Sequence, residues 1–237
     1  MFQLRDRLTN LAPDLFRVVK PQAQVYNLDG IPLINARVYP TERIDYLFLK
    51  RAFDLSASTL LLIVLALLLL LIALVVKWSS AGPVFFRQER VGLNGRKFWI
   101  YKFRTMEMVS RHISDTRWTT PQDERITRVG KFLRRTSLDE LPQLLNVFRG
   151  DMSLVGPRPE RPHFVEIFKR EIPDYMVRHY MKCGITGWAQ VNGWRGDTSI
   201  RKRIEYDLYY MQHWALWFDL KIILLTLTRG LYHRNAY

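Results

Sequence analysis

The chain has 237 residues, with 36 Lys and Arg against 22 Asp and Glu, for a net charge of +14. That length suits one good-sized domain or one domain plus a membrane segment. The basic excess favours anionic partners such as lipid headgroups, nucleotides or nucleic acid. A lone cysteine, Cys183, excludes an internal disulfide and fits a reducing, cytosol-facing setting in which it is inert.

Residues 1–48 read as a lead-in. Residues 4–20 carry weak helical periodicity ended by Pro21, and residues 25–38 around Asp29-Gly30 have hairpin composition. No continuous apolar core that would mark a cleavable signal peptide occurs in the first 30 residues. Residues 49–80 form the second unit. No charged side chain occurs from residue 55 to residue 76, long enough for a helix to cross a hydrocarbon core. A buried soluble helix is the alternative. Lys50 and Arg51 flank one end; Lys77, Arg87, Arg90, Arg96 and Lys97 follow the other. A segment that enters and returns to the same face keeps both basic flanks in the cytoplasm; a simple span, the other topology, leaves the N-terminal charges on the far side.

Residues 81–237 form the third unit. Strands are expected at 84–91 and 97–103, joined by Leu93-Asn94-Gly95-Arg96, because Asn-Gly tolerates positive φ. The period of two places Lys102 and Arg104 on one face, either as a phosphate clamp or as solvated strand charges. Residues 110–125 are polar, with Pro121, and read as a mobile loop; residues 126–135 form a basic amphipathic helix.

Ser137-Leu138-Asp139-Glu140-Leu141-Pro142 follows. Ser137 with Glu140 has capping-box spacing ahead of a helix over 142–149. The positive end of that helix is expected to keep Asp139 ionised and nucleophilic. Arg134, Arg135, Arg149 and the Gly156-Pro157-Arg158-Pro159 loop crowd the pair, which suits a divalent metal and a phosphorylated substrate. Taken alone, the Ser-x-Asp-Glu pattern is most often only a cap.

Residues 160–171 have the pattern of another amphipathic helix, stopped near Pro173, and His163 and His179 read as structural. Residues 182–196 hold Gly184, Gly187, Gly193 and Gly196, as where backbone meets a ligand or another strand. They contain no G-x-G-x-x-G, so a dinucleotide-binding reading fails. Residues 200–231 read as one long helix, with Tyr206, Tyr209, Tyr210, Trp214, Trp217 and Phe218 forming either an interfacial belt or a core stripe.

In consistent order, Lys50-Arg51-Ala52-Phe53-Asp54, Gly82-Pro83-Val84-Phe85, Lys102-Phe103-Arg104-Thr105-Met106, residues 136–143, residues 150–159 and residues 184–193 resemble the bacterial sugar transferase family, the monotopic polyprenol-phosphate phosphoglycosyltransferases. The resemblance implies a mostly α fold with a small β-hairpin. It implies one re-entrant membrane helix, amphipathic interface helices and a catalytic domain facing the cytosol from the bacterial inner membrane. It also implies transfer of a sugar 1-phosphate from a UDP-sugar to undecaprenyl phosphate, with Asp139 as nucleophile and UMP leaving. Glu140, with Asp139, would hold Mg²⁺; Lys102, Arg104, Arg158 and Asp207 are the implied phosphate or substrate contacts.

A homodimer is compatible with the resemblance, and nucleic acid is not an expected partner. The family's mid-membrane Ser-Pro falls on Ala66-Leu67, and two other family prolines are replaced by Ala81 and Cys183. Trp194-Arg195-Gly196-Asp197, Tyr209, Trp214 and Asn235-Ala236-Tyr237 resemble the large members that load glucose or galactose 1-phosphate, which leans toward UDP-glucose. A membrane-tethered module binding polyanions is the rival reading; it leaves Asp139 and Glu140 without a role.

Overall fold

The computed structural model describes residues 24–28, 31–35, 44–107, 123–196 and 198–229. The helix expected over 4–20, most of the loop over 110–125, Asp197 and the closing Asn235-Ala236-Tyr237 lie outside the described residues. The rest is mostly helical, with three two-stranded sheets. Strands β1 (Gln24–Leu28) and β2 (Ile31–Asn35) pair antiparallel, as expected around Asp29-Gly30.

The long apolar run is two helices, α1 (Ile44–Val64) and α2 (Ala66–Ser79), bent by 63°. Among the described residues no single helix is long and apolar enough to cross a membrane, although this bent pair passes by length and composition. With neither proline nor glycine at the break, the bend is one backbone rotation at Leu65 (φ −91°, ψ 3°). Tertiary contacts at both ends require it. Lys50 at the base of α1 donates to Asp219 Oδ2 at 2.6 Å. Ile72 and Val76 of α2 pack with Phe103 and Leu133.

Strands β3 (Phe85–Val91) and β4 (Lys97–Phe103) form the expected antiparallel hairpin, with Asn94 (φ 53°) and Gly95 (φ 73°) left-handed in its turn. Helix α3 (Arg128–Arg135) follows, its start capped by Thr127 Oγ1 accepting from the Gly130 amide. A 3-10 turn, Leu138–Gln143, then leads into α4 (Leu144–Arg149). The side chain of Asn146 fastens α4 to β4: Nδ2 donates to Trp99 O at 2.7 Å and Oδ1 accepts from the Tyr101 amide at 3.1 Å. Arg51 caps the other end, donating to Val147 O and Phe148 O, both at 2.8 Å.

Strands β5 (Ser153–Val155) and β6 (Gly184–Thr186) pair in parallel beneath the site. A Cβ on Gly184 would lie 2.1 Å from the nitrogen of Gly156, the residue after β5, so Gly184 and Gly187 of the glycine-rich stretch serve close contact with that neighbouring backbone. Helix α5 (Pro162–Glu171) has the expected amphipathic face, and α6 (Trp188–Val191) is a single turn. The expected single helix over 200–231 is two, α7 (Ile200–Gln212) and α8 (Leu216–Arg229). The break at 213–215 lets Asp219 face back to accept from Tyr210 Oη (2.6 Å) and Trp214 Nε1 (3.4 Å). A straight helix would carry that carboxylate away from Lys50. The main core joins Tyr46, Val147, Met152, Val155, Tyr210 and Ile222, so α1 and α8 are both part of it.

Candidate active site

Three segments converge. Strand β4 supplies Lys102, the 3-10 turn supplies Asp139 and Glu140, and the loop after β5 supplies Arg158. Glu140 Oε1 accepts from Lys102 Nζ at 2.7 Å and from Arg158 Nη2 at 2.8 Å; Oε2 receives only a 3.4 Å contact from Arg158 Nη1. Arg90, Ile100, Gln143 and Pro159 complete the cleft with these residues. Gln143 Nε2 is buried there with no acceptor among the described residues.

The anticipated capping box does not form. Ser137 sits in the left-handed region (φ 57°) without a side-chain cap, and its amide donates instead to Arg134 O at 3.1 Å. Glu140 cannot reach back because Lys102 and Arg158 hold its carboxylate. The helix expected from Pro142 begins as this 3-10 turn, with Pro142 inside it.

The charge states also differ from expectation. Burial opposes ionisation of Glu140, but Arg158 and Lys102 outweigh it and hold the carboxyl well below its usual range. Asp139, only 7% exposed, goes the other way. Burial pushes its pKa up to about 6; Lys102, Arg134 and Arg158 pull down, and Glu140 adds to the rise. Glu140, not Asp139, is the firmly ionised member. Asp139 has no hydrogen bond or ion pair among the described residues, so both its oxygens are free to react. Burial likewise lowers the pKa of Lys102, against the pull of Glu140.

The Arg158 loop is held by its carbonyls. Pro157 O accepts from the Gly184 amide at 2.9 Å and Glu160 O from the Val91 amide at 3.0 Å. Between them, Arg158 O accepts from Arg178 Nη2 at 2.9 Å and Pro159 O from Arg90 Nη1 at 3.2 Å. Four successive carbonyls are thus fixed in a segment whose two prolines donate nothing. The Arg158 guanidinium is thereby aimed at Glu140.

Two anticipated residues lie elsewhere. Arg104 follows the end of β4, so the period of two no longer governs it. Its Nη2 donates to Ser80 O (2.7 Å), Ser80 Oγ (2.9 Å) and Val76 O (3.3 Å), closing the C-terminus of α2. Asp207 is buried behind the loop in a 2.7 Å ion pair with Arg178, so it meets the site only through Arg178 and the Arg158 carbonyl. His179 is structural as expected: it is buried, its Nδ1 lies 3.2 Å from Gly92 O, and burial lowers its pKa to about 4. Burial pushes the Cys183 thiol up to about 12, which leaves it unreactive. Sequence reasoning missed Arg90, Gln143 and Arg178, whose roles depend on contacts that no local pattern encodes.

Three or more His, Cys, Asp or Glu side chains do not gather into a metal cage among the described residues. Magnesium needs no such cage, because it is commonly held by one or two carboxylates together with substrate phosphates and water. The unpartnered Asp139 and the lightly engaged Oε2 of Glu140 fit that donor set.

A family model described as Bacterial sugar transferase matches residues 45–233. The chain is 45% identical over 231 residues to a UDP-glucose:undecaprenyl-phosphate glucose-1-phosphate transferase of Escherichia coli (strain K12), covering 96% of this chain and 49% of that protein. A protein of the same description from Caulobacter vibrioides is 47% identical over 202 residues, covering 84% of this chain and 75% of that one. A UDP-N-acetylgalactosamine-undecaprenyl-phosphate N-acetylgalactosaminephosphotransferase of Aeromonas hydrophila is 46% identical over 184 residues, covering 77% and 43%. The chain spans about half the length of the Escherichia coli relative.

Proposed function

The chain belongs to the bacterial sugar transferase family, and from that premise we propose that it transfers a hexose 1-phosphate from a UDP-sugar to undecaprenyl phosphate, releasing UMP. The observation that carries this reading is the division of labour within the carboxylate pair. Glu140 is locked by two cations, whereas the adjacent Asp139 has no hydrogen bond among the described residues and is ionised near neutral pH.

An Asp139 oxygen attacks the β-phosphorus of the donor. The bond from that phosphorus to the bridging oxygen breaks, and UMP departs with the electron pair. A phosphate oxygen of the lipid then attacks the same phosphorus, and the aspartyl oxygen leaves as a carboxylate. Splitting one displacement between two anions into two steps gives each its own in-line geometry. Lys102 and Arg158 place positive charge where the phosphoryl oxygens collect negative charge. Asp139 and Glu140 are the residues that would hold Mg²⁺, which when bound neutralises the diphosphate.

Membrane seating is part of the proposal. The bent α1–α2 pair exposes Leu60, Ile63, Val64, Leu67 and Leu70 around its apex, and Trp78 stands out near the far end. A contiguous apolar surface of that kind suits a re-entrant insertion with the site held at the cytosolic face of the inner membrane. UDP-glucose is the first donor to test, since two of the relatives above carry it in their descriptions.

The test is UMP release from a UDP-sugar panel with undecaprenyl phosphate and Mg²⁺. With the lipid omitted, mass spectrometry should find a hexose-phosphate adduct on the peptide containing Asp139. Asp139→Asn should abolish both signals, and full-rate turnover by that variant would overturn the scheme.

A further inference from the structure

We propose that Arg195 is a further donor-binding residue of this site, one that contacts phosphate oxygens of the bound nucleoside diphosphate sugar; this deepens the transfer reading and rests on it. Arg195 lies between α6 and α7, in a loop bracketed by Gly193 (φ 86°) and Gly196 (φ 67°). The loop is built, not slack. Trp194 N donates to Ala189 O at 2.9 Å, and the Trp194 ring packs on Tyr206 with centroids 6.0 Å apart. Arg203 Nη2 donates to Gly196 O at 2.8 Å, while its Nη1 pairs with Glu160 Oε2 at 3.7 Å. Since Glu160 adjoins Pro159, one arginine straps the Arg195 loop to the loop that presents Arg158.

Within this frame Arg195 Nε and Nη2 are buried and have no acceptor among the described residues. Burial lowers the pKa of Arg195, the Arg158 charge lowers it further and Glu140 opposes both, so its guanidinium feels the charges of Arg158 and Glu140. Leaving buried donors unmet is costly, and a fold tolerates that cost where a ligand supplies the acceptors. Glu140 is not that acceptor: its Oε1 is shared by Lys102 and Arg158, and neither of its oxygens bonds the unmet Arg195 nitrogens. The missing partner is an anion with several oxygens, and the planar guanidinium fork matches phosphate bidentately. Arg158 and Arg195 feel one another's positive charge, and a diphosphate would relieve that repulsion by accepting from both.

The experiment compares the parent with Arg195→Gln and Arg195→Lys, by calorimetric titration with UDP and by steady-state kinetics with separate KM values for UDP-glucose and the lipid. For Arg195→Gln the expected result is a rise of about tenfold or more in UDP Kd and UDP-glucose KM, equivalent to about 1.4 kcal/mol. The kcat should fall much less, the melting temperature should not fall, and Arg195→Lys should recover part of the affinity. UDP Kd and donor KM within twofold of the parent would overturn the proposal. So would a rise confined to lipid KM, which assigns the residue to the acceptor instead. Loss of folding in both variants also overturns it, because a ligand-facing guanidinium is not needed by the free protein. If the parent releases no UMP from any UDP-sugar, the transfer reading fails, while the UDP titration still decides Arg195.

Discussion

Replacing the proposed nucleophile should make the protein more stable. Asp139 pays for its reactivity with burial: its pKa stands at about 6 against an ordinary 3.8. A group that binds its proton more tightly when folded loses stability as pH rises between those two values, and the loss is complete above the folded pKa. At about 1.4 kcal/mol per pH unit, the ionised carboxylate costs the fold up to about 3 kcal/mol at pH 7.5. Asp139→Asn is neutral at every pH and of nearly the same shape, so it recovers that amount. For a chain of this length the gain corresponds to about 6–12 °C in melting midpoint. The assay is thermal unfolding of parent and variant in lipid nanodiscs, with chelator present and no nucleotide, at several pH values. The gap should be full at pH 7.5 and close on acidification toward 3.8. A variant that melts no higher than the parent at pH 7.5, or a gap insensitive to pH, would refute the claim that burial strains this carboxylate.

The same ionisation sets the pH profile: kcat/KM for the donor should rise about tenfold per unit below the folded pKa of about 6 and level off above it, as measured by UMP release. Glu140→Gln removes the one carboxylate shared by Lys102 and Arg158, so turnover should fall by about 100-fold or more and the melting temperature should drop, opposite in sign to Asp139→Asn. Asp207→Asn leaves Arg178 charged and buried without its partner; a loss of about 3–5 kcal/mol in unfolding free energy is expected, and whatever folded protein remains should show an unchanged donor KM.

Much of the site was legible because its chemistry is encoded locally. Asp139, Glu140 and Arg158 stand in short motifs whose residue types suit phosphate chemistry, and Lys102, singled out on its strand, meets Glu140. Legibility failed where an outcome depends on a partner distant in sequence. Ser137 and Glu140 have capping-box spacing, but that geometry loses to two cations brought in from residues 102 and 158. Helix-dipole reasoning expects Asp139 to be held ionised, whereas desolvation by the packed turn dominates and raises its pKa. Arg104 has the right residue type and spacing for a clamp, yet the strand ends one residue too early and the unsatisfied carbonyls of α2 take it. Strands β5 and β6 are three residues each, too short for any period, and only their parallel pairing reveals them.

The bend at Leu65 follows from this same distant bookkeeping of contacts. A proline would make the turn obvious in the sequence, and none is present, so the bend must be specified from outside the helix pair. Lys50 answers to Asp219 of α8, and Arg51 caps α4 directly after the catalytic turn. Asp54 Oδ1 accepts from the Leu154 amide at 3.1 Å, on the strand that runs into the Arg158 loop. Arg104 holds the end of α2. The Arg51, Asp54 and Arg104 ties join the apolar pair to elements that carry or adjoin a site residue, and the Lys50 tie fixes it to the main core through α8. In the proposed orientation the inserted helices are therefore part of the site's scaffold and not a tether. They fix the height of Asp139 above the lipid surface, where the acceptor's phosphate must arrive in line with a phosphorus that the protein itself holds. A flexible linker between anchor and catalytic unit would forfeit that alignment, so the buried charges at the base of α1 are where a single substitution should uncouple membrane binding from turnover.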